Sequence, residues 1–93
     1  MTKDQRKTIT LDFHTKANCP LCDRLLELME PVLAEYRDRY EIQIRFIDIK
    51  KNKALFVKFR YRIPVVMHNN VILFEGRPDA DQVRSVLAQS FKE

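Results

Sequence analysis

The segment Asn18-Cys19-Pro20-Leu21-Cys22 contains both cysteines of this 93-residue chain, and it stands where a strand pattern gives way to a helix pattern. Before it, Thr8–His14 alternates polar and apolar residues, which is typical of a strand. From Pro20 onward, apolar residues recur at steps of three and four, which predicts an amphipathic helix. Two cysteines one turn apart at a helix start can close a reversible disulfide, supply half of a tetrahedral metal site, or pack as small apolar side chains.

The long helix after Pro20 contains one irregular residue. Its apolar side is predicted to carry Leu21, Leu25, Leu28, Met29, Val32, Leu33, Tyr36 and Tyr40. Pro20 suits the first turn, where a missing N–H costs nothing. Pro31 lies inside the pattern, where a proline removes a hydrogen bond and clashes with the preceding turn. We therefore expect a kink at residues 27–29 or two consecutive helices.

Beyond Tyr40 the patterns predict three more strands and two more helices. The predicted strands are Ile42–Ile49, Arg62–Met67 and Val71–Glu75, and the predicted helices are Lys53–Phe59 and a last one after Asp79. Asn69-Asn70 suits a two-residue turn, because asparagine tolerates positive φ. Asp79 and Gln82 have the spacing of a capping box.

The predicted order of elements is β-α-β-α-β-β-α. Because one long helix connects the first two strands, these two strands should lie parallel. Layer rules then predict an α/β fold, a four-stranded mixed sheet with three helices on its two faces. We assign residues 8–93 to this single domain and residues 1–7 to a flexible N-terminal tail.

Charge is unevenly spread along the chain. The net charge is +4, from 17 Lys and Arg against 13 Asp and Glu, and Lys50–Arg62 holds six cations without an acid. A solvated helix face explains such a block most simply. It can also attract nucleic acid, an anionic membrane or an acidic small molecule, although aromatic residues that a core would need argue against nucleic acid.

The cellular compartment bears on what the cysteines do. The polar N-terminus lacks the apolar segment of a signal peptide, and no apolar run approaches the roughly 18 residues that span a bilayer. We therefore expect a cytoplasmic protein. In that reducing compartment, two cysteines indicate a redox pair or a metal site rather than a structural disulfide. A zinc site completed by His14 and His68 is disfavoured, because neither histidine shows paired-ligand spacing.

Helix position predicts separate roles for the two thiols. Cys19 precedes the first turn, where unpaired N–H groups and the helix dipole stabilise a thiolate, and Lys16 adds a cation nearby. Cys19 is therefore expected to be the exposed nucleophile. Cys22 lies one turn further in and is expected to be the less accessible resolving thiol.

Two motifs in this order resemble a known family. Cys19-Pro20-Leu21-Cys22 after the first strand and Ile63-Pro64 before the third are similar to those of thioredoxin-fold proteins of the glutaredoxin type. The chain most resembles the small glutaredoxin-like family of bacterial and organellar proteins, over Ile9 to Phe91. The resemblance implies that Pro64 is cis and lies beside the cysteines, where Ile63 offers backbone groups to an extended substrate.

The resemblance also implies a substrate site around the cysteines. Pro20 and Leu21 would contact the substrate, although Leu21 replaces a tyrosine that is common in the family. Lys16 matches a family position whose cation meets a carboxylate of glutathione, and the basic stretch, especially Lys50, Lys51 and Arg62, is expected to add to the same anionic site. Many glutaredoxins also bind glutathione with two glycines and an aspartate after the fourth strand, whereas this chain has Gly76-Arg77-Pro78-Asp79. Asp79 is then expected to serve only as a helix cap.

The expected function is a dithiol oxidoreductase that exchanges with protein disulfides or glutathione mixed disulfides. No bound cofactor or metal is expected. Glutathione is a candidate co-substrate, and the reductant is glutathione or an enzyme of the thioredoxin-reductase type. The alternative is a non-catalytic binding module that docks a partner through the basic stretch and the Pro64 edge, with its cysteines acting as a redox sensor. No membrane partner is expected.

Overall fold

The structure is a computed structural model and describes residues 6–92. Its elements are β1 (Lys7–Thr15), α1 (Pro20–Ala34), β2 (Tyr40–Asp48), a 3₁₀ turn (Ile49–Lys51), α2 (Lys53–Phe59), β3 (Val65–His68), β4 (Val71–Glu75) and α3 (Ala80–Ser90). The predicted β-α-β-α-β-β-α order is confirmed. β1 begins at Lys7, the last residue of the predicted tail. The flexibility expected of residues 1–5 lies outside the described residues.

The ends of β1 and β2 and the start of β3 lie at one edge of the sheet, the edge from which the cysteine segment continues. The strand order is β2-β1-β3-β4, with β1 and β2 parallel. Their carboxyl ends therefore lie side by side, Thr15 next to Asp48. β3 is antiparallel to β1 and starts at this same edge, with Val65 opposite His14. We call this edge, where β1 and β2 end and β3 begins, the upper edge.

Alternation along β1 directs side chains to two differently covered faces. Ile9, Leu11 and Phe13 are buried in the core with the inner sides of α1 and α3, which pack against each other. His14 points to the opposite face, where its ring lies 4.9 Å from the ring of Phe59 in α2. Helices therefore cover both faces of the mixed sheet, as predicted.

The first helix is shorter than predicted. α1 ends at Ala34, Tyr36 lies in the following turn, and Tyr40 is the first residue of β2. Both tyrosine rings contact Phe91 just after α3, with ring centres 4.9 and 5.7 Å away. The helix-like spacing of the two tyrosines continues past Ala34 because both side chains pack on this one aromatic ring, so the prediction that they extend the helix is wrong.

Pro31 does not divide the first helix. It lies inside α1, which is one element from Pro20 to Ala34. Its side chain is exposed. The predicted alternative of two consecutive helices is therefore wrong.

Turns and caps in the second half of the chain agree with the sequence pattern. Asn69 and Asn70 have φ values of 50° and 65°, and they join β3 to β4 as predicted. The capping box of α3 is present, with hydrogen bonds between Asp79 and Gln82 in both directions. β3 begins at Val65 rather than Arg62, because residues 60–64 form the turn that follows α2.

Candidate active site

The two cysteines form a disulfide at the N-terminal end of α1. Cys19 is the N-cap residue and has an extended backbone, and Pro20 occupies the first turn. The backbone N–H of Cys22 donates to Sγ of Cys19 at 3.2 Å. Asn18 has a φ of 57°, a left-handed conformation that asparagine tolerates better than most residues, and it turns the chain from β1 into the helix. One amide of the first helical turn, that of Cys22, thus points at the sulfur of Cys19.

Burial differs between the two sulfur-bearing residues. Cys19 is 8% exposed and Cys22 is 3% exposed. Both residues are therefore buried, and the expectation that Cys19 is exposed is wrong for this disulfide form. Its sulfur is covered by the disulfide to Cys22 and by the first turn of α1.

The segment before β3 packs at the same upper edge. The Ile63–Pro64 peptide bond is cis, as the resemblance implied, and both residues are buried. The N–H of Gly76 donates to the carbonyls of Pro64 at 2.9 Å and Arg62 at 3.2 Å. The N–H of Ile63 donates to the carbonyl of Phe59 at 3.1 Å, so it is used within the chain.

Arg62 is tied to its own chain. Its guanidinium forms an ion pair with Glu75 and lies over the ring of Phe59, 5.3 Å from the ring centre. The hydrogen bond from Arg62 lowers the pKa of Glu75, and partial burial opposes that shift. The charge of Arg62 is therefore already compensated, which weakens the expectation that it serves an incoming anion.

A small groove lies at Leu21, the residue of the cysteine motif just before Cys22. Leu21, which is 37% exposed, lines it together with Leu25, Leu28, Arg24 and the loop Gly76–Pro78. This groove brings the variable residue of the cysteine motif against the segment that replaces the two glycines of many glutaredoxins. Lys16 is exposed in the connection between β1 and α1. Pro20 is exposed at the helix start.

Asp79 is committed to the helix that it starts. Its Oδ1 accepts from the backbone N–H of Gln82 at 2.8 Å, and the side chain of Gln82 accepts from the backbone N–H of Asp79 at 2.8 Å. The expectation that Asp79 acts as a helix cap agrees with this geometry.

The sequence did not predict that His14 is buried and holds the start of β3, the strand that follows Pro64. The residue is 4% exposed, and its Nδ1 donates to the carbonyl of Val65 at 3.0 Å. It thereby fixes the first residue of β3, next to Pro64. Alternation alone put His14 on the polar side of β1, beside Asp12, which pairs with Arg45 at 2.9 Å. The burial of His14 could have been predicted from the apolar side of α2, because that helix has to cover part of the sheet face on which His14 lies.

His68 also bonds to the backbone, since its Nδ1 donates to the carbonyl of Thr10 at 3.3 Å. Within residues 6–92, no cluster of three or more His, Cys, Asp or Glu side chains is arranged to hold a metal ion. In the same residues, none of the helices has both the length and the apolar character that crossing a membrane requires.

Comparison with known proteins adds the family. The family described as "Glutaredoxin-like domain (DUF836)" matches residues 10–88, which is most of the chain. This chain belongs to the glutaredoxin-like family. A relative of the same kind is the "Glutaredoxin-like protein YDR286C homolog" of Dictyostelium discoideum, 32% identical over 93 residues that cover 94% of this chain and 86% of the relative. The resemblance stated from the sequence is confirmed.

Solved structures similar to this glutaredoxin-like protein have the thioredoxin fold. Chloroplastic thioredoxin z superposes with a TM-score of 0.59 at 24% identity, covering 90% of this chain and 79% of that one. Thioredoxin-2 of a malaria parasite superposes with a TM-score of 0.58 at 14% identity, covering 96% and 98%. At these identities the likeness establishes the fold and nothing further.

Proposed function

We propose that this glutaredoxin-like protein is a thiol–disulfide oxidoreductase that reduces disulfides of protein substrates with the Cys19–Cys22 pair. The observation that carries the proposal is the position of Cys19 at the N-cap of α1, with the N–H of Cys22 donating to its sulfur. A hydrogen bond to a charged acceptor is roughly twice as strong as one to a neutral acceptor. The same amide therefore stabilises the thiolate of Cys19 more than it stabilises the disulfide.

The reaction balances over two exchanges. The Cys19 thiolate attacks one sulfur of the substrate disulfide; that S–S bond breaks, and the other substrate sulfur leaves as a thiolate that takes up a proton. Cys22 then loses its proton and attacks the Cys19 sulfur of the mixed disulfide, which releases the second substrate thiol. The substrate is reduced by two electrons, and the protein ends as the Cys19–Cys22 disulfide that the structure contains. A thiol reductant is needed to restore the dithiol.

We infer that substrate binds at the upper edge, across Pro20 and Leu21 on one side and Ile63 and Pro64 on the other. An extended substrate segment beside Ile63 would pair with its backbone, as in strand addition. Because the N–H of Ile63 already donates to Phe59, its carbonyl is the group that remains for this pairing. Exposed Leu21 offers an apolar contact. Lys16 supplies a cation next to the cysteine motif.

A protein disulfide is favoured over glutathione as the substrate. Asp79, which corresponds to a glutathione-contacting aspartate of many glutaredoxins, is occupied by the capping box. Arg77 and Pro78 stand where those proteins carry a second glycine, and they border the groove beside Leu21. Glutathione remains a candidate reductant, and so does an enzyme of the thioredoxin-reductase type.

Trapping of the mixed disulfide tests the proposal. Reduced Cys22→Ser protein should capture a cysteine peptide activated as its 2-thiopyridyl disulfide, with the adduct seen by mass spectrometry on Cys19. Reduced Cys19→Ser protein should capture little, and the double Ser variant should capture none. Equal capture by the two single variants would contradict the assigned roles. Absence of capture in both would leave the non-catalytic alternative.

Turnover identifies the electron source. The wild-type protein is supplied with an excess of a peptide disulfide and either glutathione with glutathione reductase or thioredoxin reductase alone. NADPH consumption is followed in both. The Cys19→Ser protein is the control in each assay, because it lacks only the sulfur of the proposed nucleophile. If no reductant gives consumption above this control, the enzymatic proposal fails.

A further inference from the structure

The positive charge of this protein is concentrated in one segment. Lys50–Arg62 contains six of the 17 cations and none of the 13 acids, so the remainder of the chain has more acids than cations. On α2, Lys53 and Val57 are exposed together with Ala54 and Lys58. Because these positions are spaced by one and four residues, they lie on one side of the helix. The opposite side is anchored by Phe59, which is 1% exposed.

The segment lies at the upper edge, where the disulfide is. It starts directly after Asp48, whose strand ends beside Thr15. It returns to the edge at Phe59, whose ring lies tilted against that of His14, and it leads into Pro64. The connection between β1 and the cysteines, which holds Lys16, starts at the same edge.

The outer surface of the segment combines charge with apolar contact area. Tyr61 is 86% exposed and Val57 is 69% exposed. The guanidinium of Arg60 lies over the ring of Tyr61, 4.6 Å from its centre. The two acids that border the segment are engaged, since Asp48 accepts from the N–H of Lys50 and Glu75 pairs with Arg62. Among residues 6–92, no ion pair joins the four lysines of the segment to an acid.

We propose that this basic face, formed by Lys50, Lys51, Lys53, Lys58, Arg60 and Tyr61, docks an acidic segment of the protein substrate while its disulfide reacts at Cys19. The proposal rests on the proposed function and names its substrate class: proteins whose reactive disulfide is flanked by Asp and Glu. Clustered charge of one sign attracts oppositely charged partners and accelerates their encounter.

An acidic protein segment fits the face better than RNA does. The segment that carries the face leads into Pro64 at the upper edge, and disulfide exchange at that edge requires a sulfur-bearing partner, which a nucleic acid does not provide. Tyr and Arg are enriched at the centres of protein interfaces. Of the aromatic residues in the segment, Phe59 is buried and Phe56 is half-buried, which leaves Tyr61 as the exposed ring on which a base could stack.

The experiment compares three peptides of one length with a single cysteine activated as its 2-thiopyridyl disulfide. Their flanking residues are four Asp and Glu, four Ser and Gln, or four Lys. Release of pyridine-2-thione by the reduced protein gives the rate. We expect the acidic peptide to react about tenfold faster than the neutral one at low salt. The difference should shrink strongly at about 1 M salt, where the screening length is about 3 Å.

Matched charge variants locate the effect. Lys50→Gln with Lys53→Gln should lower the preference for the acidic peptide by about three- to tenfold, as expected for loss of exposed charge pairs. Lys7→Gln with Lys92→Gln removes the same charge from exposed residues at the opposite end of the sheet and should leave the preference unchanged. The rate with the neutral peptide should stay the same in both variants, because none of these lysines is placed at Cys19.

Measuring the affinity of peptides that cannot exchange a disulfide tests the docking separately from the proposed function. The three peptides with Ser in place of Cys are labelled, and their affinity is measured by fluorescence anisotropy, with a single-stranded RNA of similar charge as competitor. Tighter binding of the acidic peptide that the Lys50 and Lys53 substitutions reduce supports the docking even if no thiol exchange is found. Equal rates and equal affinities for the three peptides overturn it. Displacement of the acidic peptide by RNA at far lower concentration also overturns it, in favour of nucleic acid.

Discussion

The backbone N–H of Cys22 donates to Sγ of Cys19 at 3.2 Å, so each cysteine of the motif takes part in the cap at the start of α1. Pro20 and Leu21 between them lie in the first turn of α1. The spacing of the motif therefore has two effects at once. It brings the sulfurs together for a disulfide, and it places a helix amide at the sulfur of Cys19, where it would stabilise a thiolate.

Alkylation kinetics test this arrangement. In reduced Cys22→Ser protein, the rate of Cys19 modification by iodoacetamide should rise with pH around a midpoint below about 8.5, the value for a free cysteine. In reduced Cys19→Ser protein, Cys22 should react more slowly and with a higher midpoint, because it lies within the helix and is more deeply buried. The reverse order of midpoints would contradict the assignment of Cys19 as nucleophile.

Substitutions of Asp79 show whether its side chain serves as a helix cap or binds glutathione. Asp79→Ala removes an N-cap side chain and should lower the free energy of unfolding by about 1 kcal/mol. Unfolding in urea, followed by circular dichroism with the disulfide intact, measures this loss. The rate of exchange with a neutral peptide disulfide should change little.

Asp79→Asn is the matched control, because asparagine caps helices about as well as aspartate. We expect it to keep both the stability and the rate with glutathione as reductant. If the Asn variant is stable but reacts much more slowly with glutathione, the carboxylate of Asp79 binds that substrate and is more than a cap.

The order of elements and the place of the cysteines were predictable because they depend on short-range patterns. β1 alternates around a buried face, as Ile9 and Leu11 show. Pro20 marks the helix start, and the paired asparagines mark the hairpin. The cis bond at Pro64 was predicted only through resemblance to the family, since most X-Pro bonds in folded proteins are trans.

What the sequence did not reveal depends on contacts between distant residues. The end of α1 was missed because Tyr40 continues the helical spacing while its hydroxyl donates to the carbonyl of Phe91, 51 residues away. The burial of His14 follows from Phe59, which belongs to a helix on the opposite face from α1. Arg62 was predicted to be available to an anion, but Glu75 comes back along β4 to pair with it.

Two neighbouring phenylalanines with different burial give a test of the core. Phe13 and Phe46 are register partners on β1 and β2, with ring centres 5.5 Å apart, but Phe13 is 1% exposed and Phe46 is 56% exposed. Phe13→Ala should lower the free energy of unfolding by about 3–5 kcal/mol through lost burial and a cavity. Phe46→Ala should cost about 1 kcal/mol, mainly the aromatic contact. Urea unfolding of both oxidised variants measures the difference, and similar losses would show that Phe46 is also buried in solution.

The pair between Arg62 and Glu75 predicts how stability responds to acid. The hydrogen bond from Arg62 holds the pKa of folded Glu75 below its ordinary value of 4.5. As pH falls, the unfolded chain therefore binds the proton first. The contribution of this carboxylate is complete above its ordinary pKa and is lost as the pH falls through 4.5 and then through the lower folded value. Free energies of unfolding measured over this range should fall less steeply in Glu75→Gln than in the wild type.

Glu27→Gln is the control for that comparison, because it removes one exposed carboxylate from α1 that has no ion-pair partner among residues 6–92. Its acid-side slope should match that of the wild type. Added salt should reduce the difference between Glu75→Gln and the wild type, because exposed ion pairs are screened. Parallel curves for wild type and Glu75→Gln at low salt would mean that the ion pair does not hold β4 to the Pro64 segment in solution.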